Sequence, residues 1–269
     1  MKFTKLMQSM AAAGAMVVAG AAAAAPIYPD FTVSTSALGG GGSLGTFVAN
    51  DISGQYHEQI TFTSASTFTV SLDFIAQGFN YDDTNAGAST SFSAAQTGLG
   101  SNYQLMALLT ATGTYSTSGG TTTFSLDPGG ALSLSYDAGA NASFVAPASP
   151  GGAFTINANG DTITTLATGN AMMGNGSVSC TAPNLCGSFG QETSFNLTSA
   201  GSSFFVSPNP FYSLSLQSGQ VEGFPVVVGE TVTSTGTLNA VFAVPEPAPM
   251  AMMGVALLGF MALRRRQRD

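Results

Sequence analysis

The sequence predicts a mainly β protein in which one antiparallel β-sandwich-like domain lies between two helical targeting segments. Three observations lead to this prediction: apolar residues recur at every second position, Gly- and Pro-rich turns separate these runs, and Lys and Arg occur only near the chain ends. Alternation with a period of two is typical of half-buried strands, because successive side chains point to opposite faces. We therefore divide the 269 residues into segments 1–25, 26–243 and 244–269.

Segment 1–25 has the organisation of a signal peptide. Lys2 and Lys5 form a basic start, a run rich in Ala, Val and Met follows, and Ala21–Ala25 supplies the small residues found at cleavage sites. The apolar run is short and Ala-rich for a membrane span, which needs about 20 apolar residues. An uncleaved N-terminal membrane helix is the alternative. We predict export across the inner membrane, followed by cleavage at the end of the Ala run.

Segment 26–243 carries the strand signals of an extracytoplasmic β-rich domain. The clearest signal is Phe68–Phe74, in which even-numbered positions are apolar and odd-numbered positions are polar. Shorter alternating runs occupy residues 60–62, 132–136, 154–156, 212–216 and 238–242. Enrichment in Thr, Val, Phe and Tyr also favours strands. Residues 103–109 could form a short helix, but the Thr-rich continuation favours a buried strand.

Turn signals interrupt these runs at short intervals. Asp127-Pro128-Gly129-Gly130 is one example. Asn159-Gly160 is another, and both of its residues tolerate positive φ, so it predicts a hairpin between the runs around Ile156 and Ile163. Many short strands separated by such turns indicate an antiparallel sandwich-like domain.

The distribution of charge excludes one class of function. All six Lys and Arg residues lie at positions 2, 5, 264–266 and 268, whereas all but two of the 14 Asp and Glu residues lie within segment 26–243. An acidic domain without Lys or Arg cannot neutralise phosphate groups, so we predict that it does not bind nucleic acid. An anionic membrane surface would also repel it.

The chain contains two cysteines, Cys180 and Cys186. An exported protein enters an oxidising compartment, so a local disulfide is the favoured interpretation. Two free thiols are the alternative. A zinc site is disfavoured because no histidine lies near this pair in the sequence.

Segment 244–269 has three parts. The first is a proline-rich motif formed by Val244, Pro245, Glu246 and Pro247. Its prolines favour an extended and exposed backbone. The second is the apolar run Met250–Leu263, long enough for a short membrane helix. The third is a basic cluster formed by Arg264, Arg265, Arg266 and Arg268. Arginines next to a membrane helix stay in the cytoplasm, which orients the helix and leaves the β domain outside.

These three parts, in this order and behind a signal peptide, resemble the PEP-CTERM sorting tail. The resemblance implies that the chain is the cargo of an exosortase-type processing enzyme in a Gram-negative bacterium that produces exopolysaccharide. It further implies recognition and cleavage near Pro245, Glu246 and Pro247. The protein would then pass from a transient inner-membrane intermediate to the cell surface or the extracellular matrix. A plain membrane anchor with a Pro-rich stalk is the alternative.

The β domain is similar to flocculation-associated members of the same family. Residues 50–58, 68–74, 102–113 and 207–212 carry this similarity. It implies a role in floc or biofilm formation together with exopolysaccharide, and it supplies no catalytic residues. A secreted carbohydrate-binding module without catalytic activity is the alternative function, and a self-assembling surface or fibre subunit is a further one.

Hydrolytic chemistry would have to use His57, the single histidine, which Glu58 follows. Gly41–Gly45 matches the G-x-S-x-G pattern, but that motif needs a preceding strand and a following helix. Here it ends a run of four glycines and precedes a predicted strand. We therefore predict no enzymatic activity and no catalytic residues.

Calcium ions and sugar rings are two further ligand types that the sequence could bind. Asn80–Asn85 offers several oxygen ligands for Ca²⁺, although its spacing is not that of an EF-hand and an Asx-type turn is the simpler interpretation. We predict neither a metal site nor a cofactor. Stacking on sugar rings would use tyrosines, and the candidates are Tyr56, Tyr81, Tyr103, Tyr115 and Tyr212. We expect most of them to lie in the core, with Tyr81 in a loop.

Overall fold

The computed structural model describes residues 28–83, 88–180 and 185–243. The predicted signal peptide and the predicted sorting tail, with its proline motif and arginines, lie outside the described residues. The described part is mainly β with large antiparallel sheets in a sandwich-like arrangement, which confirms the predicted fold class.

The strands alternate with few helical turns. The first half of the chain forms β1 (Phe31–Ser34), β2 (Thr46–Ala49), β3 (Asp51–Phe62), β4 (Thr67–Asp83), β5 (Ala88–Ser91), β6 (Gln104–Ser118), β7 (Thr121–Leu126) and β8 (Gly129–Asp137). The second half forms β9 (Ser143–Val145), β10 (Thr155–Asn157), β11 (Ile163–Val178), β12 (Leu185–Thr193), β13 (Asn196–Leu197), β14 (Phe205–Ser207), β15 (Ser213–Glu222) and β16 (Thr231–Ala243). The helical pieces are a 3-10 turn (Thr35–Leu38), α1 (Ala94–Thr97) and α2 (Ser199–Phe204). Among the described residues, neither helix has the length and apolar character needed to cross a membrane.

The main sheet closes on itself. Its strand order is β5-β4-β3-β16-β15-β12-β11-β7-β6-β8, and β4 also pairs with β6 while β11 also pairs with β8. Following the hydrogen bonds from β3 through β16, β15, β12 and β11, then through β7 or β8 to β6, therefore leads back to β4 and β3. Strands β7 and β8 share one place in this ring, because both pair with β6 and with β11. The pattern of alternation predicted the strands but not this closure.

The predicted strand at residues 103–109 is confirmed, because β6 covers almost all of it. The predicted hairpin at Asn159-Gly160 is only half right. Both residues have positive φ, 48° and 95°, so the turn is present. However, β10 before the turn pairs with β9, and β11 after it pairs with β7, β8, β12 and β13. The backbone preferences of Asn159 and Gly160 therefore predicted the turn, but they did not predict which strands pair with β10 and β11.

The interior contains two apolar clusters. The larger one includes a group of close-packed rings, which we call the aromatic cluster: Phe31, Phe195, Phe205, Phe211 and Phe242. Strand β16 contributes Phe242, the penultimate residue of the strand, which is 1% exposed. The smaller cluster lies further along β3 and includes Ile60 and Phe62.

Cys180 and Cys186 form the predicted disulfide, with Cα atoms 5.9 Å apart. The bond joins the residues beyond the end of β11 to the start of β12.

We expect the double variant Cys180→Ser/Cys186→Ser to unfold with a free energy about 2 kcal/mol below wild type, since the bond restricts only a short loop in the unfolded chain. Urea unfolding followed by circular dichroism measures the difference. Wild type unfolded with reductant should match the double variant, and equal stability of variant and oxidised wild type would contradict the prediction.

Candidate functional site

The described structure ends where the predicted sorting motif begins. Ala243 is the last residue of β16 and pairs with Ser213 of β15. Strand β16 lies inside the main sheet, with β3 and β15 on its two sides. Val244, the first residue of the predicted motif, follows directly in the sequence. Removal of the chain after β16 would therefore delete no residue of a described strand.

His57 and Asp73 form a cross-strand pair between β3 and β4. The Nδ1 atom of His57 lies 2.9 Å from Oδ1 of Asp73, and the Asp73 side chain is 1% exposed whereas that of His57 is 54% exposed. Burial raises the pKa of Asp73, and the hydrogen bond to His57 partly opposes this rise. His57 is therefore a half-exposed hydrogen-bond partner of a buried carboxyl group on the adjacent strand.

The predicted G-x-S-x-G segment, Gly41–Gly45, lies in the loop that precedes β2. The backbone N–H groups of Ser43 and Leu44 donate to the carbonyl oxygens of Ala95 and Gln96 in α1. Strand β2, and not a helix, follows this loop. Among the described residues no hydrogen bond joins it to His57, so the structure does not assemble a Ser-His pair from these motifs. The absence of catalysis stays a prediction.

Glu58 is buried, which the sequence-based predictions missed. It is 5% exposed, and on β3 it lies between Tyr56 of the larger apolar cluster and Ile60 of the smaller one. Its neighbours on the adjacent strands are Ser234 of β16 and Leu72 of β4. Burial raises its pKa to about 7. The alternation of β3 does contain the signal, because Glu58 occupies an even position among inward-facing residues.

Glu58 belongs to a buried polar layer, formed by Tyr56, Glu58, Ser218 and Ser234. The Tyr56 hydroxyl group lies 3.4 Å from the Ser218 hydroxyl group. Gly236 makes room for the Tyr56 ring, since a Cβ atom at Gly236 would lie 2.9 Å from it. Both polar atoms of the buried Gln191 side chain have no hydrogen-bond partner among the described residues.

Most tyrosines proposed for sugar stacking are structural. Tyr56, Tyr103 and Tyr115 are buried, and the ring of Tyr103 stacks on Tyr136 with centroids 5.0 Å apart. The hydroxyl group of Tyr212 donates to the Asp30 carbonyl oxygen. The loop predicted around Tyr81 is wrong, because Tyr81 lies in β4 opposite Thr90 of β5. These rings fill space in the fold, as alternate aromatic residues of buried strands commonly do.

The Asn80–Asn85 segment is also largely strand. Asn80 donates through its side-chain amide to Asp51 and Ser53 on β3, and β4 continues to Asp83. Residues 84–87 lie outside the described residues. In the described ranges no group of three or more His, Cys, Asp or Glu side chains is arranged to hold a metal ion. The predicted absence of a cofactor stays a prediction.

The described residues also form a concave region, which we call the polar cleft and define by Asn175, Gly190, Gln191, Glu192, Gln217 and Asn239. It has a volume of about 500 Å³ and spans β11, β12, β15 and β16. Four of its residues form one row across these strands, because Asn175 pairs with Gly190, Gly190 with Gln217, and Gln217 with Asn239. Residues directly opposite each other in antiparallel strands share a face, so the three amide side chains lie on the same side.

Sequence patterns did not reveal this row. Its members are separated by up to 64 positions, from Asn175 to Asn239, and each of its three amide residues is by itself an ordinary outward-facing polar residue. Only the strand order brings them together.

Comparison with known proteins identifies one segment. The family model described as PEP-CTERM protein-sorting motif matches residues 243–266. No curated protein and no solved structure matches the chain.

Proposed function

We propose that this chain, which carries a PEP-CTERM sorting motif and is an exosortase-sorted exported protein, acts outside the cell as a non-catalytic surface or matrix protein. Its role is to promote floc or biofilm formation together with exopolysaccharide. The matched motif at residues 243–266 is the observation that carries the proposal. Export is the part that follows from the motif; the floc role rests on the similarity of segments such as residues 102–113 and 207–212 to flocculation-associated proteins.

The junction between domain and motif supports processing at the proline-rich segment. Strand β16 ends at Ala243, and Pro245, Glu246 and Pro247 follow within four residues. Proline disfavours helix and cannot donate a backbone hydrogen bond, so this triplet would stay accessible between the fold and the membrane. A cut there frees a domain whose last strand is intact.

The chemistry of the domain suits a hydrated matrix. Segment 26–243 has no Lys or Arg, so it offers no cation for phosphate or anionic lipid. Its outward positions carry hydroxyl side chains, as in the β6–β7 hairpin, where the exposed Ser116 pairs with the exposed Thr123. The disulfide is stable in an oxidising compartment and is consistent with a location outside the cytoplasm.

Deleting residues 245–269 tests the proposal in the native host. We expect the truncated protein to be depleted from the cell-surface fraction and the culture to aggregate less than with the full-length protein. A second variant replaces residues 245–269 by a plain transmembrane anchor without the Pro-Glu-Pro triplet. We expect it to remain in the inner membrane and not to restore aggregation, since the exosortase cannot process it.

The two variants separate the alternatives. Unchanged location and aggregation after the deletion would refute the proposal. Full restoration by the plain anchor would show that anchoring alone is needed, and would refute the sorting step. The second candidate function, a carbohydrate-binding module without a matrix role, is favoured by one observation, the polar cleft.

A further inference from the structure

We infer that a groove beside the end of β16 receives residues 244–247 of this chain and holds the Pro-Glu-Pro triplet along the surface of the domain. We call it the terminal groove and define it by the lining residues Phe195, Asn196, Val206, Asn209, Pro210 and Phe211. Its volume is about 320 Å³. The docking stands on the geometry of the fold, whereas its meaning for export rests on the proposed function.

The register of β15 and β16 directs the chain toward this groove. Ser213 pairs with Ala243 in antiparallel register, so each step forward from Ala243 corresponds to one step backward from Ser213. Continued at this register, the chain would bring Pro247 beside Asn209. Each of these two residues lies four positions from the last pair, so the two chain segments have the same reach, at most about 14 Å. Residues 244–247 can therefore cover the groove directly from the end of β16.

The aromatic cluster connects the end of β16 with the wall of the groove. The ring centroid of Phe242 lies 4.9 Å from that of Phe211 and 5.3 Å from that of Phe195. Both of these partners line the terminal groove, and Phe242 is the penultimate residue of β16. The first residue beyond the strand therefore leaves the sheet next to the groove.

The surface of the groove suits a proline-rich segment. Its apolar walls are partly uncovered, since Val206 is 45% exposed and Pro210 is also exposed. Aromatic-lined grooves bind proline-rich segments well, because proline already restricts the backbone of the ligand. None of the described residues that line the groove is charged. Glu246 would therefore meet no like charge there, and the side-chain amides of Asn196 and Asn209 offer it hydrogen-bond donors.

The N-terminal end of the described chain lies elsewhere and does not compete for the groove. The hydroxyl group of Tyr28 donates a hydrogen bond of 2.9 Å to the side chain of Gln217. Gln217 lies in the middle of β15, where it pairs with Asn239, four residues before Ala243. The segment that follows β16 is therefore the occupant that the chain itself supplies at the groove.

Docking would give the processing enzyme an ordered substrate. One side of residues 244–247 would pack on the groove, and the other side would stay open to solvent, so the Pro-Glu-Pro triplet remains readable. A segment that is ordered in advance loses less conformational freedom when an enzyme binds it. The groove would also keep the cleavage region at a fixed position relative to the end of β16.

Disulfide trapping in the full-length chain tests the inference. The chain is purified in mild detergent from a host without exosortase, so that the tail is intact. The variant Asn209→Cys/Pro247→Cys carries thiols at the two positions that the register brings together. Opposite residues of antiparallel strands have Cα atoms about 4.5–5.5 Å apart, which is within the range for a disulfide. We expect a new bond between these two cysteines under mild oxidation, measured by alkylation of free thiols and mass spectrometry.

The matched control is Thr46→Cys/Pro247→Cys. Thr46 is exposed on β2 and lies five residues before Asp51, which pairs with Val241 on the other side of β16. A tail that samples its surroundings at random would reach both partners. Docking in the terminal groove should make the bond at Asn209 form at least about tenfold faster than the bond at Thr46.

A second change tests the groove surface itself. Val206→Glu, added to the Asn209→Cys/Pro247→Cys variant, places a negative charge in the groove that receives Glu246, and we expect trapping about tenfold slower. Val228→Glu is its control, since Val228 is exposed in the loop before β16, and it should leave the rate unchanged. Both glutamate variants should keep the unfolding temperature of their parent, because both valines are exposed.

Equal trapping rates at Asn209 and Thr46, or an unchanged rate with Val206→Glu, would overturn the inference. Either result, combined with tail-dependent location and aggregation in the host, would reject the docking alone. Trapping at Asn209 that Val206→Glu slows, combined with location and aggregation that do not depend on the tail, would support the docking and reject the proposed function alone.

Discussion

Phe242→Ala is expected to lower the free energy of unfolding by about 3–5 kcal/mol, the usual cost of removing a buried phenylalanine ring. Phe242 is 1% exposed and sits in the aromatic cluster, with its ring centroid 4.9 Å from those of Phe31 and Phe211. It contacts Phe195 at 5.3 Å as well. Those rings come from distant parts of the chain, so the cavity left by alanine cannot be closed by a local shift.

Urea unfolding followed by far-ultraviolet circular dichroism measures this loss, because the chain has no tryptophan to report by fluorescence. Val228→Ala is the control, since Val228 is 54% exposed and should change stability by less than about 0.5 kcal/mol. A loss below about 1 kcal/mol for Phe242→Ala would show that the aromatic cluster does not hold the end of β16.

Glu58→Gln is expected to remove a pH dependence that wild type shows between about pH 4.5 and 7. The pKa of Glu58 is raised by burial from 4.5 to about 7. In this interval the unfolded chain releases the proton while the folded chain keeps it, so the unfolded state binds fewer protons and stability falls as pH rises. The full loss, present above pH 7, is about 3 kcal/mol for a pKa difference of this size. Gln keeps the shape of the protonated acid and does not ionise.

The measurement is the unfolding free energy of wild type and Glu58→Gln at several pH values from 4 to 8. The two curves should be close at pH 4 and should separate in favour of the variant as pH rises. Burial also raises the pKa of Asp51 and Asp73, so both proteins retain a background slope of the same sign. Glu192→Gln, which changes an exposed glutamate, is the matched control and should run parallel to wild type. Parallel curves for Glu58→Gln would contradict a neutral buried acid.

The surroundings of Glu58 explain the expected pH dependence. Glu58 interrupts the interior between two apolar clusters, and segment 26–243 contains no Lys or Arg to pair with it. A buried carboxylate without a counterion is costly, so the group stays protonated at moderately acid pH. The ionisation of Glu58 therefore makes the fold less stable in neutral than in acidic surroundings.

Much of the fold was predictable because its signals are local. Alternation in Phe68–Phe74 requires only that one face of a strand be buried, and β4 shows that arrangement. The Thr-rich end of the run at 103–109 correctly favoured a strand over a helix. Glu58 was predictable in principle, since it shares the parity of Ile60 and Phe62 on β3, but a charged residue is usually assigned to the outer face.

The sequence alone determined the β class of the protein, the acidic domain without Lys or Arg, and the sorting motif, because each depends on residue types at short spacing. The tertiary structure alone decided the closure of the sheet through β4 and β6, the partners of β10 and β11, and the assembly of the polar cleft. These features depend on which distant strands exchange hydrogen bonds. That choice is governed by the burial of the whole apolar surface, and no short stretch of residues contains it.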